Sequence, residues 1–106
     1  MGLFSFKKAL DIDMGVEEFL QTPGALLLDV RNPDEYWEGH IPGSVNVPLA
    51  YIEEVSGLTE SDDTRMCVYC RSGARSRQAT AALQNMGYNN VKNIGGILEF
   101  SGKVER

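Results

Sequence analysis

The feature of this sequence that most constrains its fold is a pair of short apolar runs, at 25–30 and 66–69, each followed by a polar turn. A run of this length that is apolar on both faces is typical of a central parallel strand, because helices cover both sides of such a strand. Shorter apolar segments at 44–47 and 91–94 predict two further strands. The sequence therefore predicts several buried strands that share one sheet.

Helical segments are predicted between these strands. Asp13 is predicted to cap a first helix, which the turn at 22–24 closes. The apolar stripe of that helix consists of Val16, Phe19 and Leu20. Helical spacing returns at 49–55, and good helix formers run from Ser76 to Gly87, a natural residue after a helix end. The polar and aromatic stretch 34–43 is assigned neither helix nor strand.

Strands that alternate with helices over about 100 residues indicate an α/β fold: a small open, mainly parallel β-sheet flanked by helices on both faces. The chain has 106 residues, a common size for one domain, and it shows no internal repeat or linker. We therefore expect one domain that spans residues 1–106. Leu3, Phe4 and Phe6 are expected to form a packed or frayed first strand.

Charge and hydropathy exclude two classes of partner. The 10 Lys and Arg residues against 15 Asp and Glu residues give a net charge of −5, which is the wrong sign for binding nucleic acid. No stretch approaches the ~20 apolar residues of a membrane helix, and no apolar run follows Lys7 and Lys8 as in an export signal. We expect a cytoplasmic protein without a membrane partner, in a compartment that keeps thiols reduced.

The segment that follows the strand at 66–69 is the candidate site. In open α/β sheets, ligands bind outside the carboxyl ends of the strands. The candidate residues there are Cys70, Arg71, Ser72, Gly73, Ala74, Arg75 and Ser76. A small-residue turn before a helix allows several backbone N–H groups to converge on an anion. The helix dipole and the nearby Arg71 and Arg75 are expected to lower the pKa of the Cys70 thiol, which makes it a nucleophile.

The other reactive side chains have weaker claims. Cys67 lies inside the predicted strand and is interpreted as a small apolar core residue. A disulfide between Cys67 and Cys70 is disfavoured, because three residues of extended chain span ~10 Å and place the two side chains on opposite faces. One His and two Cys do not supply the ligands of a zinc site. Asp29 and Arg31 end a strand beside the site and are expected to support the loop, by pairing with it or with each other.

With these residues identified, the sequence resembles the rhodanese family of sulfurtransferases from about Ile12 to Gly96. The first matching motif is Asp29-Val30-Arg31-x-x-x-Glu35-Tyr36-x-x-Gly39-His40-Ile41-x-Gly43-Ser44-x-Asn46-Val47-Pro48. The second motif is the loop 70–76, and Gly95-Gly96-Ile97 resembles the family's closing turn. The short ending after Gly96 is similar to that of the small phage-shock rhodaneses.

The resemblance implies a mechanism. Cys70 as a thiolate attacks the sulfane sulfur of a small anionic donor such as thiosulfate, and a thiol or cyanide then takes the sulfur from the Cys70 persulfide. The backbone N–H groups of residues 71–76 would hold the terminal sulfur, while Arg71 and Arg75 attract the donor. No cofactor or metal is implied. His40 is interpreted as part of a structural turn rather than a base, and Tyr36 and Trp37 as packing or rim residues.

Two other functions stay open. The chain is also compatible with a sulfur-relay module, in which Cys70 accepts and passes on sulfur from a partner protein. An apolar rim around Cys70 would favour the relay, and a tight basic pocket would favour small anions. A phosphatase-like or arsenate-reductase-like enzyme fits less well, because four residues separate Cys70 from Arg75. The related phosphatases have five, and the shorter loop suits a single sulfur atom better than a phosphate.

Overall fold

The computed structural model describes residues 10–106, so the predicted first strand at Leu3, Phe4 and Phe6 lies outside the described residues. The described chain contains a four-stranded sheet in which every neighbouring pair of strands is parallel. The strands are β1 (Leu26–Asp29), β2 (Val45–Asn46), β3 (Met66–Cys70) and β4 (Val91–Gly96). Their order across the sheet is β2-β1-β3-β4, with β1 and β3 in the centre.

Helices pack against both faces of this sheet. The α-helices are α1 (Ile12–Leu20), α2 (Pro33–Glu38) and α3 (Ala74–Asn85). Two 3₁₀ helices follow β2 and β4, at Leu49–Gly57 and Ile97–Glu99. The predicted fold class, a small open parallel sheet with helices on both faces, is confirmed. The helical spacing at 49–55 belongs to a 3₁₀ helix, in which Ile52 and Val55 are buried.

The core has two halves, because the side chains of β3 alternate between the faces of the sheet. Met66, Val68 and Cys70 join the cluster that packs against α3 and the first 3₁₀ helix. Cys67 and Tyr69 join the other cluster, which packs against α1. All five residues of β3 are buried, so the strand is covered on both faces as the apolar run predicts. The two cysteines are free thiols on opposite faces of the sheet.

The start of α1 differs from the prediction. Asp11, not Asp13, is the capping residue, and its Oδ1 accepts a hydrogen bond from the Met14 N–H at 3.2 Å. Asp13 lies in the first turn of the helix, where its carboxylate accepts hydrogen bonds from Ser101. Leu20 is exposed rather than part of the buried stripe, because the buried face is formed by Ile12, Gly15 and Val16.

Helix α2 occupies the stretch to which the sequence analysis assigned no element. It begins with Pro33, whose fixed φ suits the first position of a helix and which needs no donor there. The Glu35 carboxylate accepts the Asn32 N–H at 2.9 Å and so satisfies one of the first free donors. None of the residues of α2 is buried. The helix therefore lacks the apolar periodicity from which helices are predicted in a sequence.

No helix within residues 10–106 has the length and apolar character needed to cross a membrane.

Candidate active site

The loop 70–76 lies at the carboxyl end of β3, as predicted. β3 ends at Cys70, and α3 begins at Ala74. The reversal between them depends on Gly73, whose φ of +111° is a conformation that side-chain-bearing residues rarely adopt. In this turn the Gly73 N–H donates a hydrogen bond to Cys70 Sγ at 3.0 Å. The sulfur thus sits over backbone donors and the start of a helix.

Cys70 is ionised more readily than an ordinary cysteine. Its burial acts to raise the pKa of the thiol, but hydrogen bonds from Ser76 and from the backbone N–H groups of Gly73 and Ser72 outweigh burial and lower that pKa. The predicted direction of the shift agrees with the structure, although its main causes are these hydrogen bonds rather than the arginines. Burial raises the pKa of Cys67, which has no comparable set of donors. The two cysteines therefore differ in chemistry as well as in position.

Asn93 is a residue of this site that the sequence analysis missed. Its Oδ1 lies 2.7 Å from the Ser76 hydroxyl and accepts the Gly95 N–H at 3.0 Å, while its Nδ2 donates to the Gly73 carbonyl at 3.4 Å. Since a hydroxyl has a single proton, Ser76 donates to one acceptor at a time: Asn93 Oδ1, the Gly73 carbonyl at 3.0 Å or the Cys70 sulfur. Asn93 thus joins β4 to the second half of the loop, at Gly73 and Ser76. The sequence does contain a signal that could have identified Asn93: it is a polar residue in a predicted strand, and a Gly-Gly pair follows shortly after it.

The Gly95-Gly96 pair lets the loop approach the end of β4. Gly95 has a φ of +113°, and a side chain on Gly96 would meet the carbonyl of Arg71 and the Cα of Ser72. The register of β3 and β4 shifts at this point, so that Cys70 pairs with Gly96. The resemblance to a closing Gly-Gly turn thus corresponds to a close contact between two backbones.

The guanidinium of Arg75 faces a carboxylate rather than open solvent. Arg75 Nη1 and Nη2 donate to the two oxygens of Glu35 at 2.8 and 3.0 Å. The hydrogen bond from Arg75 holds the pKa of Glu35 down at about 2, and Glu35 in turn raises the pKa of Arg75. Arg75 is thus paired with Glu35 in this structure, and its role in attracting an anionic donor stays a prediction. Arg71 is exposed and forms no ion pair among the described residues.

Asp29 and Arg31 pair with each other, which is one of the two arrangements expected. The Asp29 carboxylate, fully buried, accepts hydrogen bonds from the backbone N–H and the guanidinium of Arg31. Arg31 Nη2 also donates to the Gly39 carbonyl at 2.7 Å. Burial opposes the charge of Arg31, but the contact with Asp29 raises its pKa overall. The pair thus fastens the end of β1 to the turn after α2.

A cavity of about 330 Å³ lies beside the loop. Its polar wall is formed by Arg31, Glu35, Glu38, Gly39 and Arg71. Its apolar wall is formed by Ile97, Leu98 and Val104, of which Leu98 and Val104 are exposed. The cavity therefore has a polar wall of mixed charge, with two arginines and two glutamates, and an apolar wall beside it. Within residues 10–106, no group of three or more potential ligands is placed to hold a metal ion.

The aromatic residues near α2 have structural contacts. The His40 ring stacks on the Tyr36 ring with centroids 3.8 Å apart, and its Nδ1 lies 2.9 Å from the Tyr36 carbonyl oxygen. The backbone of His40 forms a two-way bridge with Glu105. These contacts support the interpretation of His40 as a structural residue. Trp37, in contrast, is exposed.

Comparisons with known proteins agree with this geometry. Residues 15–103 match the family described as rhodanese-like domain. The chain is 37% identical over 76 residues to the thiosulfate sulfurtransferase PspE of Escherichia coli (strain K12), covering 70% of this chain and 72% of that protein. It is 33% identical over 107 residues to YrkF of Bacillus subtilis (strain 168), named as a candidate sulfur carrier protein, covering 99% of this chain and 52% of that protein.

A solved structure shows the same architecture. It is described as a rhodanese with anions from E. coli and superimposes with a TM-score of 0.73 at 31% sequence identity. The match covers 77% of this chain and 98% of the solved one.

Proposed function

Because the chain belongs to the rhodanese family, we propose that it transfers a sulfane sulfur from thiosulfate to a thiol or cyanide through a persulfide on Cys70. The observation that carries this proposal is the Gly73 N–H directed at Cys70 Sγ, at the edge of the sheet where ligands bind. The lowered pKa of the Cys70 thiol supports the same role, since the thiolate is the nucleophile.

The first half-reaction loads the enzyme. The Cys70 thiolate attacks the sulfane sulfur of thiosulfate, a new S–S bond forms, and the S–S bond of the donor breaks. Sulfite leaves with the electron pair of the broken bond. Arg71 attracts the anionic donor, and the backbone N–H groups of residues 71–76 stabilise the negative charge that reaches the terminal sulfur.

The second half-reaction returns the enzyme to its starting state. A cyanide ion or a thiolate attacks the terminal sulfur of the persulfide, and the bond between the two sulfur atoms on Cys70 breaks. The Cys70 thiolate leaves with the electron pair, so no outside oxidant or reductant is consumed. The same donors that lower the pKa of the thiol make Cys70 a good leaving group in this step.

The test is intact mass spectrometry of the reduced protein, first after incubation with thiosulfate and then after addition of cyanide. We expect a gain of one sulfur atom that cyanide removes, mapped to Cys70 by proteolysis. Cys70→Ser should gain nothing. Cys67→Ala is the matched control, because Cys67 lies on the opposite face of the sheet, and it should load like the wild type. Loading of the Cys70→Ser variant would show that the nucleophile is a different group.

A sulfur-relay role is the second candidate, and the exposed apolar wall at Leu98 and Val104 favours it. The similarity to YrkF supports it as well. In that role the donor is a persulfide on a protein. The same mass measurement separates the two functions, since a relay loads from a persulfidated protein and fails to load from thiosulfate.

The proposed setting is the cytoplasm, because the cycle starts from a reduced Cys70 thiol and the cytoplasm keeps thiols reduced. Cell fractionation tests this location, and recovery of the protein outside the cytoplasmic fraction would contradict it.

A further inference from the structure

The ion pair between Arg75 and Glu35 is firmly held from both sides. Two parallel N–H···O bonds of 2.8 and 3.0 Å join the guanidinium to the carboxylate. Such a bidentate ion pair is stronger than an ion pair with a single hydrogen bond. The same carboxylate accepts the Asn32 N–H at 2.9 Å, so its position is fixed by the start of α2. The pair is only partly exposed, with 24% of the Glu35 side chain and 32% of the Arg75 side chain accessible. Any other anion has to compete with Glu35 for Arg75.

The positive charge at the site is consequently much smaller than its number of arginines suggests. Arg31 is neutralised by Asp29, and Arg75 is neutralised by Glu35. Of the three arginines, Arg71 is the one without a carboxylate partner in the described part of the chain. The Cys70 charge also contributes to the raised pKa of Arg75, after the larger effect of Glu35. Arg75 stands in the first turn of α3, two residues after the Gly73 whose N–H donates to Cys70 Sγ, and its partner Glu35 lines the cavity beside the loop. Arg75 thus belongs to the same loop as the sulfur that a donor would approach.

We infer that Glu35 is a specificity-determining residue that disfavours dianionic sulfur donors by occupying Arg75. This inference rests on the proposed function and deepens it, because it concerns the charge of the donor that Cys70 attacks. A second negative charge on a donor gains least where a guanidinium of the loop already has a fixed carboxylate partner. Release of Arg75 should therefore improve the reaction with a dianion more than the reaction with a monoanion.

The experiment compares two donors in the Glu35→Gln variant. Thiosulfate is a dianion, and methanethiosulfonate carries the same type of sulfane sulfur with one negative charge fewer. We expect kcat/KM to rise about tenfold for thiosulfate and about threefold for methanethiosulfonate, with the gain shrinking at high salt. Glutamine keeps an oxygen that can accept the Asn32 N–H, so the start of α2 is preserved.

Two further variants show whether Arg75 causes the gain. Glu38→Gln removes the same charge from the same cavity, but Glu38 forms no ion pair with Arg75, so its gain should stay below about twofold. The double variant Glu35→Gln with Arg75→Gln should lose the gain and return to the wild-type level. Equal gains in Glu35→Gln and Glu38→Gln would overturn the inference. So would a double variant far below the wild type, because Arg75 would then already bind the donor.

Failure of the proposed function can be told apart from failure of this inference. If the wild type transfers sulfur from neither donor, the proposed function is wrong, and thiosulfate binding is then measured by calorimetry in Cys70→Ser chains. There the added Glu35→Gln change should tighten thiosulfate binding by about tenfold, and no tightening would contradict the inference. Circular dichroism of each variant confirms that it is folded before its kinetic or calorimetric data are interpreted.

Discussion

The buried carboxylate of Asp29 organises the carboxyl end of β1, next to the candidate site. It accepts the Arg31 N–H at 2.9 Å and three guanidinium hydrogen bonds at 3.0, 3.1 and 2.7 Å, and its side chain is fully buried. The Arg31 guanidinium then reaches the Gly39 carbonyl, and Asn46 Nδ2 donates to the carbonyls of both Asp29 and Arg31. At the scale of the residue, this pair fixes the backbone at the end of β1, the strand that lies beside β3.

Replacement of Asp29 by Asn should lower the free energy of unfolding by about 3 to 5 kcal/mol, because it leaves the buried charge of Arg31 without its partner. Urea denaturation measures this loss. Glu18→Gln is the matched control: Glu18 pairs with Arg65 at 2.6 Å but has a side chain that is 41% exposed, so its loss should cost less than about 1 kcal/mol. Similar losses in the two variants would show that burial does not set the strength of the Asp29 pair.

At the scale of the element, the loop 70–76 keeps its shape because Gly96, at the end of β4, has no side chain. A Cβ atom there would meet the Arg71 carbonyl and the Cα of Ser72, and both are backbone atoms that cannot rotate away. The loop would have to move as a unit. Its backbone donors, including the Gly73 N–H, would then move away from Cys70.

We therefore expect Gly96→Ala to lower kcat for sulfur transfer by about tenfold or more and to raise the pKa of the Cys70 thiol. The pH dependence of alkylation by iodoacetamide measures that pKa. Gly57→Ala is the control, since no atom lies within 4 Å of its added Cβ and its φ is not positive. A Gly96→Ala variant with the alkylation profile of the wild type would show that the close contact at Gly96 does not position the backbone donors around Cys70.

The sequence predicted those elements whose signal is local. β1 and β3 were found from their apolar runs, and the end of α3 from Gly87, whose φ is +106°. Helix α2 was missed because it buries no residue and so has no apolar stripe. The cap of α1 was placed two residues late, because Asp11 and Asp13 are equally suitable capping types and only the structure shows which one accepts the Met14 N–H.

At the scale of the whole molecule, the site depends on contacts between segments that are distant in the chain. The place of Cys70 and its loop at the end of β3 was predictable, because the strand, the turn and the helix follow one another in the sequence. The partner of Arg75 was not, because Glu35 lies 40 residues earlier, on a helix without an apolar stripe. Asn93 was missed for the same reason, since it reaches the loop from β4. A charge count along the chain therefore overstated the positive charge of the site.

The Glu35–Arg75 pair should also give the stability of the protein a pH dependence. The pKa of Glu35 is lowered from 4.5 to about 2, chiefly by Arg75, so the contribution is complete above pH 4.5 and is lost as the pH falls toward 2. After allowance for partial exposure, we expect a loss of about 1 to 2 kcal/mol. Urea unfolding at pH 7 and pH 3 measures it. Glu35→Gln should lose less stability than the wild type over this interval, and an equal loss would contradict the assignment.

The depth of Cys70 has a consequence for the regiochemistry of the proposed cycle. The residue is 1% exposed, so its own sulfur lies at the bottom of the loop. A second sulfur atom bound to it would stand ~2 Å farther out, toward an incoming nucleophile. Attack on the outer atom regenerates the enzyme, whereas attack on the inner atom would expel hydrosulfide and leave a dead-end mixed disulfide. In the proposed cycle the surrounding loop would shield the inner atom from a bulky thiol, so the burial of Cys70 would prevent inactivation by the acceptor.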